Sequence, residues 1–420
     1  MSQEWFEVQR HLGKVNVVRQ HYSLLSHPQG HALVQMVCCG ICAADVRVMT
    51  GNKASSGNPE RFITLGHEGV GRILTVMDET TGLRSGDCVV ILPHVHTSPD
   101  QDSSKQQCFS PSIDPGCIGN GHTLHMGWDI DGCFADFIVV PVKNLIRIPQ
   151  ESVLSVKKYS PDLQEALFAL TEPMLCTMSA YELIEMQCKA LGRGSLSNGR
   201  VLVIGCGPIG VLHGIVLLER GFDVWFMDIN KKRMALAHWC VGHRGHCIES
   251  DSQCSDFDLV MITASNADAV RMGETLVRDG GIVYLFAGLN ATDRLAMDGA
   301  NIFFYERLHR TTKGFLTATR LIHGEKSILY LGHSGYFERL AAQAIATVTK
   351  NVVALDRMVT GVIPELTSPR IAARLPGGID WETEDGSPAI IPVLHGADFR
   401  ERHCKLLMRA RNQPWSPQGA

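Results

Sequence analysis

The segment VLVIGCGPIG at 201–210 places three glycines in G-x-G-x-x-G spacing, after an apolar run and before a helical pattern. The spacing alone is weak evidence, but a strand before it and a helix after it are the context in which dinucleotides bind. Gly205 permits a tight turn, Gly207 lets backbone approach a pyrophosphate, and Gly210 allows close helix–strand packing. The predicted cofactor contacts of this turn are Gly205, Gly207, Pro208, Ile209 and Gly210.

Asp228 stands near the end of the next predicted strand, DVWFMDI at 223–229. A carboxylate at this place accepts hydrogen bonds from ribose hydroxyls and repels a 2′-phosphate. Ile229 and Asn230 bring no cation beside it. The sequence therefore predicts NAD rather than NADP, with a structural glycine turn that binds no ligand as the alternative.

Between about residues 175 and 330, predicted strands and helices alternate. The strands are predicted at 201–205, 223–229, 257–265 and 281–289, and the helices at 208–221, 230–242 and 266–280. Alternation with short glycine-containing joints produces right-handed βαβ units and a parallel sheet. We therefore expect an α/β domain of the Rossmann type here.

Residues 30–149 follow a different pattern, of short β-branched or alternating runs broken by Gly, Pro and Asp. The runs are ALVQMV (32–37), GRILTV (71–76), DCVVIL (87–92) and FADFIVVPV (134–142). They predict a β-rich, barrel-like domain rather than a parallel sheet. We expect a long surface loop at 93–128, irregular chain at 364–392, and a last strand at KLLM (405–408).

The composition limits the function classes. A chain of 420 residues is too long for one ordinary core, which suggests two domains. A net charge of −4 gives no reason to expect nucleic acid as a partner. No signal-peptide pattern and no apolar run of membrane-spanning length is found, so we expect a cytoplasmic protein. Its 14 cysteines are then predicted to be reduced thiols and metal ligands rather than disulfides.

Cys42, His67 and Glu68 are residue types that bind a catalytic zinc, and each lies beside glycines. Such a zinc takes three protein ligands and leaves one position exchangeable. Taken alone, a single cysteine with a distant His-Glu pair is more often structural.

Five segments, in order and spacing, resemble the zinc-dependent medium-chain dehydrogenase/reductase family, and most closely its polyol (sorbitol dehydrogenase-like) branch. They are GICAADVRVMTG (40–51), GHEGVGRI (66–73), GDCVVILP (86–93), DGCFADFIVVP (131–141) and EPMLC (172–176). The resemblance implies a GroES-like catalytic domain at 1–174 and 330–420, with a Rossmann NAD-binding domain at 175–329. It also implies a homo-oligomer, a dimer or a tetramer.

The resemblance also implies roles for single residues. Cys42 and His67 match metal ligands, and Glu68 matches a carboxylate that binds zinc or moves onto it. Asp45 matches the carboxylate that orients the ligand histidine. For the third ligand, Glu172 matches the polyol branch and is our choice, while Cys176 matches simple alcohol dehydrogenases and stays an alternative.

The chain departs from the family pattern in two ways that bear on function. The four-cysteine lobe that holds a structural zinc is missing, so we expect one zinc per chain; a mixed site of the histidines and cysteines at 94–125 is the alternative. Ala44 and Arg47 replace the usual proton relay. Arg47 is a candidate site residue that would bind the cofactor pyrophosphate or an anionic substrate group, unless it is a solvated surface arginine.

These observations predict zinc-dependent hydride transfer between NAD and a secondary alcohol, or its ketone, on a polyol, sugar or cyclitol. The predicted catalytic residues are Cys42, His67, Glu68 and Arg47, and the predicted zinc ligands are Cys42, His67, Glu68 and Glu172. One alternative is a redox-neutral enzyme whose retained NAD oxidises the substrate only transiently. The other is a zinc-free protein that reduces an activated carbonyl or only binds dinucleotide.

Overall fold

The computed structural model of the chain describes residues 2–11, 14–23, 29–45, 63–76, 81–96, 123–135, 137–196, 198–248, 254–287, 319–323, 325–333, 335–359, 361–363 and 392–395. They fall into two compact units. Described residues within 2–96, 123–172 and 341–395 form the first unit, and those within 173–340 form the second. The domain limits expected from the sequence, 174/175 and 329/330, stay a prediction. No helix among these residues is long and apolar enough to cross a membrane.

Strands dominate the first unit before residue 173. They are β1 (Ser2–His11), β2 (Lys14–Ser23), β3 (His31–Gly40), β4 (Ile63–Thr64), β5 (Glu68–Val76), β6 (Cys88–Ile91), β7 (His94–His96), β8 (Thr123–His125), β9 (Phe137–Pro141) and β10 (Leu145–Arg147). The second unit contributes β11 (Arg200–Ile204), β12 (Asp223–Met227), β13 (Gly245–Cys247), β14 (Phe257–Ile262), β15 (Val277–Leu285), β16 (Thr319–His323) and β17 (Lys326–Gly332). The chain then returns to the first unit with β18 (Gly361–Ile363) and β19 (Pro392–His395).

The α-helices described are α1 (Gln150–Tyr159), α2 (Thr171–Ala190), α3 (Pro208–Glu219), α4 (Lys231–Val241), α5 (Ala267–Leu276), α6 (Ala341–Lys350) and α7 (Val352–Met358). Two of them begin at asparagines that cap the helix. Asn230 accepts hydrogen bonds from the first turn of α4, and Asn266 does the same for α5. These side chains satisfy backbone N–H groups that a helix start otherwise leaves unpaired.

The main sheet of the first unit is organised by β3, its longest strand. The sheet order is β10-β6-β5-β3-β19-β18, and β9 also pairs with β3. One edge of β3 pairs with β5; on the other edge, residues 31–35 pair with β9 and residues 38–40 with β19. Every pairing is antiparallel except that of β18 with β19. The residues of β3 are mostly buried on both faces, as expected for a strand inside a barrel-like fold.

An ion pair fixes β5, which carries the site residues described below. The carboxylate of Glu165 accepts hydrogen bonds from Arg72 of β5 and from Lys157 of α1, the latter at 2.8 Å. Glu165 is buried, and a buried carboxylate is stabilised when cations compensate its charge. The contact therefore joins β5 to the helical segment that follows it in sequence.

The sheet of the second unit has the order β13-β12-β11-β14-β15-β17-β16. Its first six strands are parallel, and β16 pairs antiparallel at the edge. In chain order this is the 3-2-1-4-5-6 arrangement of dinucleotide-binding folds, in which ligands bind at the carboxyl edge where the order reverses. The fold class predicted from the sequence, a β-rich domain plus a doubly wound parallel sheet, is confirmed.

In two regions the type of secondary structure differs from the prediction. The helix expected at 266–280 ends at Leu276, because Val277 is extended and begins β15 opposite Phe257. A buried β-branched residue fits the sheet better than a helix end. The loop expected at 93–128 contains β7 and β8, which pair with each other, while 97–122 lies outside the described residues. The strand expected at 405–408 also lies outside them.

A buried histidine lies in the core of the second unit. His213 of α3 is 2% exposed, and its ring meets that of Phe286 edge-on at 4.6 Å. Among the described residues, His213 Nε2 has no hydrogen-bond partner. Burial, with a smaller contribution from His333, lowers the pKa of His213 from 6.5 to about 3. The neutral imidazole is therefore the form that the folded unit accommodates.

This histidine makes stability depend on pH. Because its folded pKa lies below the unfolded value, its contribution to stability is complete above about pH 6.5 and is lost as the pH falls toward 3. Between pH 7 and pH 5, the free energy of unfolding should fall by about 2 kcal/mol more in the wild type than in His213→Leu. Denaturant titrations at both pH values measure this difference, and parallel losses in the two proteins would contradict it.

Candidate functional site

Three side chains with metal-binding donor atoms meet at the start of β5. One ligand atom from each of Cys42, His67 and Glu68 lies within 4.8 Å of the other two. His67 and Glu68 are adjacent in sequence, whereas Cys42 follows the end of β3, which pairs with β5. The pairing of these two strands therefore brings the three predicted ligands together.

Asp45 positions both His67 and Cys42. Its Oδ1 lies 3.2 Å from His67 Nδ1, and its Oδ2 accepts a hydrogen bond of 2.9 Å from the backbone N–H of Cys42. The backbone N–H of Asp45 in turn donates to the Cys42 carbonyl at 3.0 Å. Since Nδ1 of His67 is engaged, its Nε2 is the ring atom left for a metal. The contact that the sequence predicted between Asp45 and His67 is thus present.

Glu68 comes close to the cluster because of a glycine opposite it. Gly40 pairs with Glu68 across β3 and β5, and a Cβ atom at Gly40 would overlap the Glu68 Oε2 atom. Any other residue at position 40 would therefore displace this carboxylate. Close packing against Glu68 therefore requires a glycine at position 40.

The electrostatics of the cluster favour a cation. Burial raises the pKa of Glu68 to about 8; His67 opposes this shift, whereas the nearby carboxylates of Glu172 and Asp45 add to it. Burial also raises the pKa of the Cys42 thiol, against the influence of His67. Burial lowers the pKa of His67, but Asp45 and Cys42 outweigh it, so the net shift is upward. The site therefore retains protons that a metal ion would replace.

The donor set fits zinc. Thiolate, imidazole and carboxylate are its common protein ligands, and ligand bonds of 2.0–2.3 Å place neighbouring ligand atoms about 3.5 Å apart. The separations in this cluster require only a small contraction to reach that distance. His67 and Glu68 are buried and Cys42 is half-buried, so a bound ion would be shielded on most sides.

The other predicted ligands are placed less closely. Glu172 is buried at the start of α2, and its charge influences Glu68, but it is not a member of the close cluster. Cys176, one helical turn further along α2, is half-buried. Both assignments stay predictions. Arg47 lies outside the described residues.

The dinucleotide turn has the local geometry that its sequence requires. Gly205 has φ of +104°, a conformation that glycine adopts without strain, and a Cβ atom at Gly210 would overlap the Gly205 carbonyl oxygen. The N-cap of α3 is Gly207, which has no side chain to cap the helix and open space where a Cβ would stand. Pro208 and Ile209 form the first turn of that helix. Free N–H groups at a helix start bind phosphate oxygens, so the turn fits a pyrophosphate.

Asp228 connects this turn to the end of β12. Its Oδ2 accepts a hydrogen bond of 2.6 Å from the backbone N–H of Cys206, and its Oδ1 accepts one of 2.7 Å from Asn230. Each carboxylate oxygen has two lone pairs, so ribose hydroxyls can still donate to it. Ile229 beside it is fully exposed and apolar. These features fit an adenosine ribose, and the cofactor-binding roles stay predictions.

The sequence did not single out a group of rings beside the metal cluster. His67 lies 5.3 Å from His125 and 6.4 Å from Trp128, measured between ring centroids, and His94 lies 5.1 Å from His125. His94 and His125 are paired residues of β7 and β8. The sequence predicted a role for these histidines only in an alternative metal site, and among the described residues they form no second cluster of three ligands.

Comparison with known proteins relates both units to dehydrogenases. Residues 28–150 match the family model described as "Alcohol dehydrogenase GroES-like domain". The chain is 29% identical to D-altritol 5-dehydrogenase of Agrobacterium fabrum over 282 residues, which are 66% of this chain and 74% of that protein. It is 27% identical to L-threonine 3-dehydrogenase of Symbiobacterium thermophilum over 272 residues, 60% of this chain and 66% of that protein.

A solved structure shares the fold. Glucose dehydrogenase of Haloferax mediterranei, in complex with NADP, Zn and gluconolactone, superposes with a TM-score of 0.66 at 19% identity. The superposition covers 93% of this chain and 99% of that one. At this identity the likeness establishes the arrangement of the fold and nothing about the ligands.

The role of Asp45 can be tested through metal affinity. Asp45→Asn keeps the size of the side chain but weakens its hold on His67, so metal affinity should fall by about 10- to 100-fold. Competition of zinc between the protein and a chelator measures this change. Asp87→Asn alters an aspartate of the same unit that pairs with Arg147, and should leave zinc affinity unchanged. Equal affinities in all three proteins would contradict the positioning role.

Proposed function

The chain belongs to the medium-chain dehydrogenase/reductase superfamily, and from this premise we propose that it transfers a hydride between a nicotinamide dinucleotide and a secondary alcohol or its ketone. The proposal further specifies zinc as the metal, NAD as the cofactor, and a polyol, sugar or cyclitol as the substrate. The observation that carries it is the buried Cys42–His67–Glu68 cluster, because a donor set backed by an orienting carboxylate is typical of catalytic metal sites.

Each residue of the cluster has its own role in the proposed reaction. Cys42 and His67 would hold the metal, and Asp45 keeps the imidazole in the tautomer that leaves Nε2 available as the ligand atom. A bound zinc ion would supply Lewis acidity, which lowers the pKa of the substrate hydroxyl. A carboxylate oxygen of Glu68 or Glu172 accepts the hydroxyl proton, because Ala44 has no proton to exchange. Burial of the cluster limits the water that competes for that proton.

The second unit supplies the hydride acceptor. The first turn of α3 binds the pyrophosphate through its N–H groups, and Asp228 accepts from the ribose hydroxyls. The same carboxylate repels a 2′-phosphate, which supports the choice of NAD. The NADP in the glucose dehydrogenase structure belongs to that protein and does not bear on Asp228.

The names of two relatives support the substrate class, whereas L-threonine, named for a third, has a single secondary hydroxyl. D-altritol is a sugar alcohol, and L-galactonate, the substrate named for a relative from Escherichia coli that is 28% identical, is a sugar acid. The chain spans about two thirds to three quarters of the length of these proteins. A secondary hydroxyl within a polyhydroxylated carbon skeleton is the feature they share, and we assign it to the substrate of this chain. The homo-oligomer expected from the family stays a prediction.

The proposed function is tested with the metal-loaded protein. Polyols, sugars and cyclitols are screened for NADH formation, and Cys42→Ser is measured beside the wild type. The variant should lose zinc and at least 100-fold in kcat/KM, because serine is a poor zinc ligand, while keeping the thermal midpoint of the wild type stripped of metal. Elemental analysis should find one zinc per wild-type chain. Full activity in Cys42→Ser, or no turnover of any compound by the wild type, would overturn the proposal.

The third zinc ligand is decided by comparing two variants. If Glu172 is the ligand, Glu172→Ala should reduce zinc retention about tenfold or more, whereas Cys176→Ala should retain zinc. Equilibrium dialysis against a chelator gives both values. The reverse ranking would assign the position to Cys176 and favour a site like that of simple alcohol dehydrogenases.

Cofactor choice depends on Asp228. Asp228→Ser combined with Ile229→Arg removes the charge that repels a 2′-phosphate and adds one that attracts it. The ratio of kcat/KM for NAD to that for NADP should fall at least tenfold in the double variant. Asp223→Ser, at the other end of β12, is the matched control and should keep the wild-type ratio. A wild-type preference for NADP would contradict our interpretation of Asp228.

A further inference from the structure

A short turn that follows β8 places an indole beside the metal cluster. The carbonyl of His125 accepts hydrogen bonds from the backbone N–H groups of Trp128, at 3.1 Å, and Asp129, at 2.8 Å. The Asp129 carboxylate accepts in return from the His125 N–H at 2.8 Å, and the Gly127 N–H donates to the Ile130 carbonyl at 2.8 Å. Four such bonds hold the backbone of the turn, and with it the point from which the Trp128 side chain projects.

The same turn is docked on the residue that precedes His67. A Cβ atom at Gly127 would stand 2.8 Å from the Gly66 carbonyl oxygen, and one at Gly132 would overlap that oxygen. The backbone N–H of Cys133 donates to the same carbonyl at 2.9 Å. The backbone of the turn is therefore in direct contact with the backbone that presents His67, so the backbone positions of His67 and Trp128 are fixed relative to each other.

The rings of His67, His125 and Trp128 pack against one another beside this contact. The planes of Trp128 and His67 are inclined by 24° with centroids 6.4 Å apart, and the ring of His125 meets both of them edge-on at 5.2–5.3 Å. His125 Nδ1 lies 2.7 Å from the Met126 carbonyl, which can only accept, so this nitrogen carries the proton and fixes the ring orientation. His125 is buried, whereas Trp128 keeps part of its surface accessible.

We propose that Trp128 is a specificity-determining residue: its indole forms a flat platform that selects substrates whose reacting hydroxyl is carried on a ring. This inference rests on the proposed function and narrows its substrate class to cyclitols and pyranoses rather than open-chain polyols. The centroid of the indole lies 6.4 Å from that of the ligand His67, so a substrate whose hydroxyl is bound at the cluster would have its carbon skeleton within reach of this ring.

The physical basis is a match between flat surfaces. A six-membered ring presents a face of C–H groups that can cover the indole, and it does so without loss of internal rotation. An open-chain polyol with the same number of carbons loses several freely rotating torsions to present a comparable face. Because the platform is held in place before the substrate binds, ring substrates gain the contact at little entropic cost.

The test compares two compounds that differ by one ring closure, D-glucitol and 1,5-anhydro-D-glucitol, with myo-inositol as a second ring compound. In Trp128→Ala, KM for the ring compounds should rise about tenfold with kcat within twofold, because a lost aromatic contact affects binding before chemistry. KM for D-glucitol should change less than twofold. Trp128→Phe keeps a flat ring and should restore most of the affinity, which loss of packing alone would not predict.

Two controls separate this inference from the proposed function. Trp239→Ala removes a more exposed indole from the second unit and should behave as wild type, and zinc content and thermal midpoint verify that each variant is folded. Equal KM changes for ring and chain compounds, or a change in kcat alone, would overturn the platform.

If the wild type oxidises none of the compounds, calorimetric titration of the zinc-loaded protein with myo-inositol decides the matter. Binding that weakens about tenfold in Trp128→Ala then supports the platform although the proposed reaction fails. Absence of binding overturns both.

Discussion

The contact between Asp45 and His67 is the interaction on which the first unit's site depends. One carboxylate engages the imidazole through Oδ1 and the backbone of Cys42 through Oδ2, so two of the three donor groups are positioned by a single side chain. Its charge also adds to the acidic character of a buried region that contains Glu68 and Glu172. Such a region must either bind protons or hold a cation, and the geometry of the donors favours the cation.

An aspartate has an analogous task in the second unit. Asp228 accepts backbone N–H groups from the glycine turn and from the start of α4, so it closes the turn before any ligand is present. Its remaining lone pairs then face the position at which a ribose is expected. In both units, hydrogen bonds to the backbone fix an aspartate of the site before a ligand binds. Less conformational entropy is therefore lost on binding.

Sequence reasoning was most successful where the signal is local. The strand–turn–helix at Gly205–Gly210 and the adjacent pair His67–Glu68 are recognisable because each depends on neighbouring residues. The end of α5 was misplaced because Val277 is drawn into β15 by pairing with Phe257, which lies 20 residues earlier in the chain. The packing of Trp128 beside His67 could not be predicted. It depends on the contact of one turn with Gly66, and the two segments lie some 60 residues apart in the chain. The glycines at 127 and 132, which allow this close contact, are the sequence feature that could have indicated it.

The same cluster bears on how a proton can leave a site that lacks the usual relay residues. Ala44 offers no exchangeable proton, so the group that accepts the hydroxyl proton must already belong to the cluster. Glu68 has a pKa near 8 in the metal-free protein because burial and neighbouring carboxylates oppose its charge. A cation held by Cys42 and His67 would stabilise the ionised carboxylate and so lower its pKa. The affinity of Glu68 for a proton therefore depends on the charge beside it, and the ionised form that a bound cation would favour is the form that can accept the hydroxyl proton.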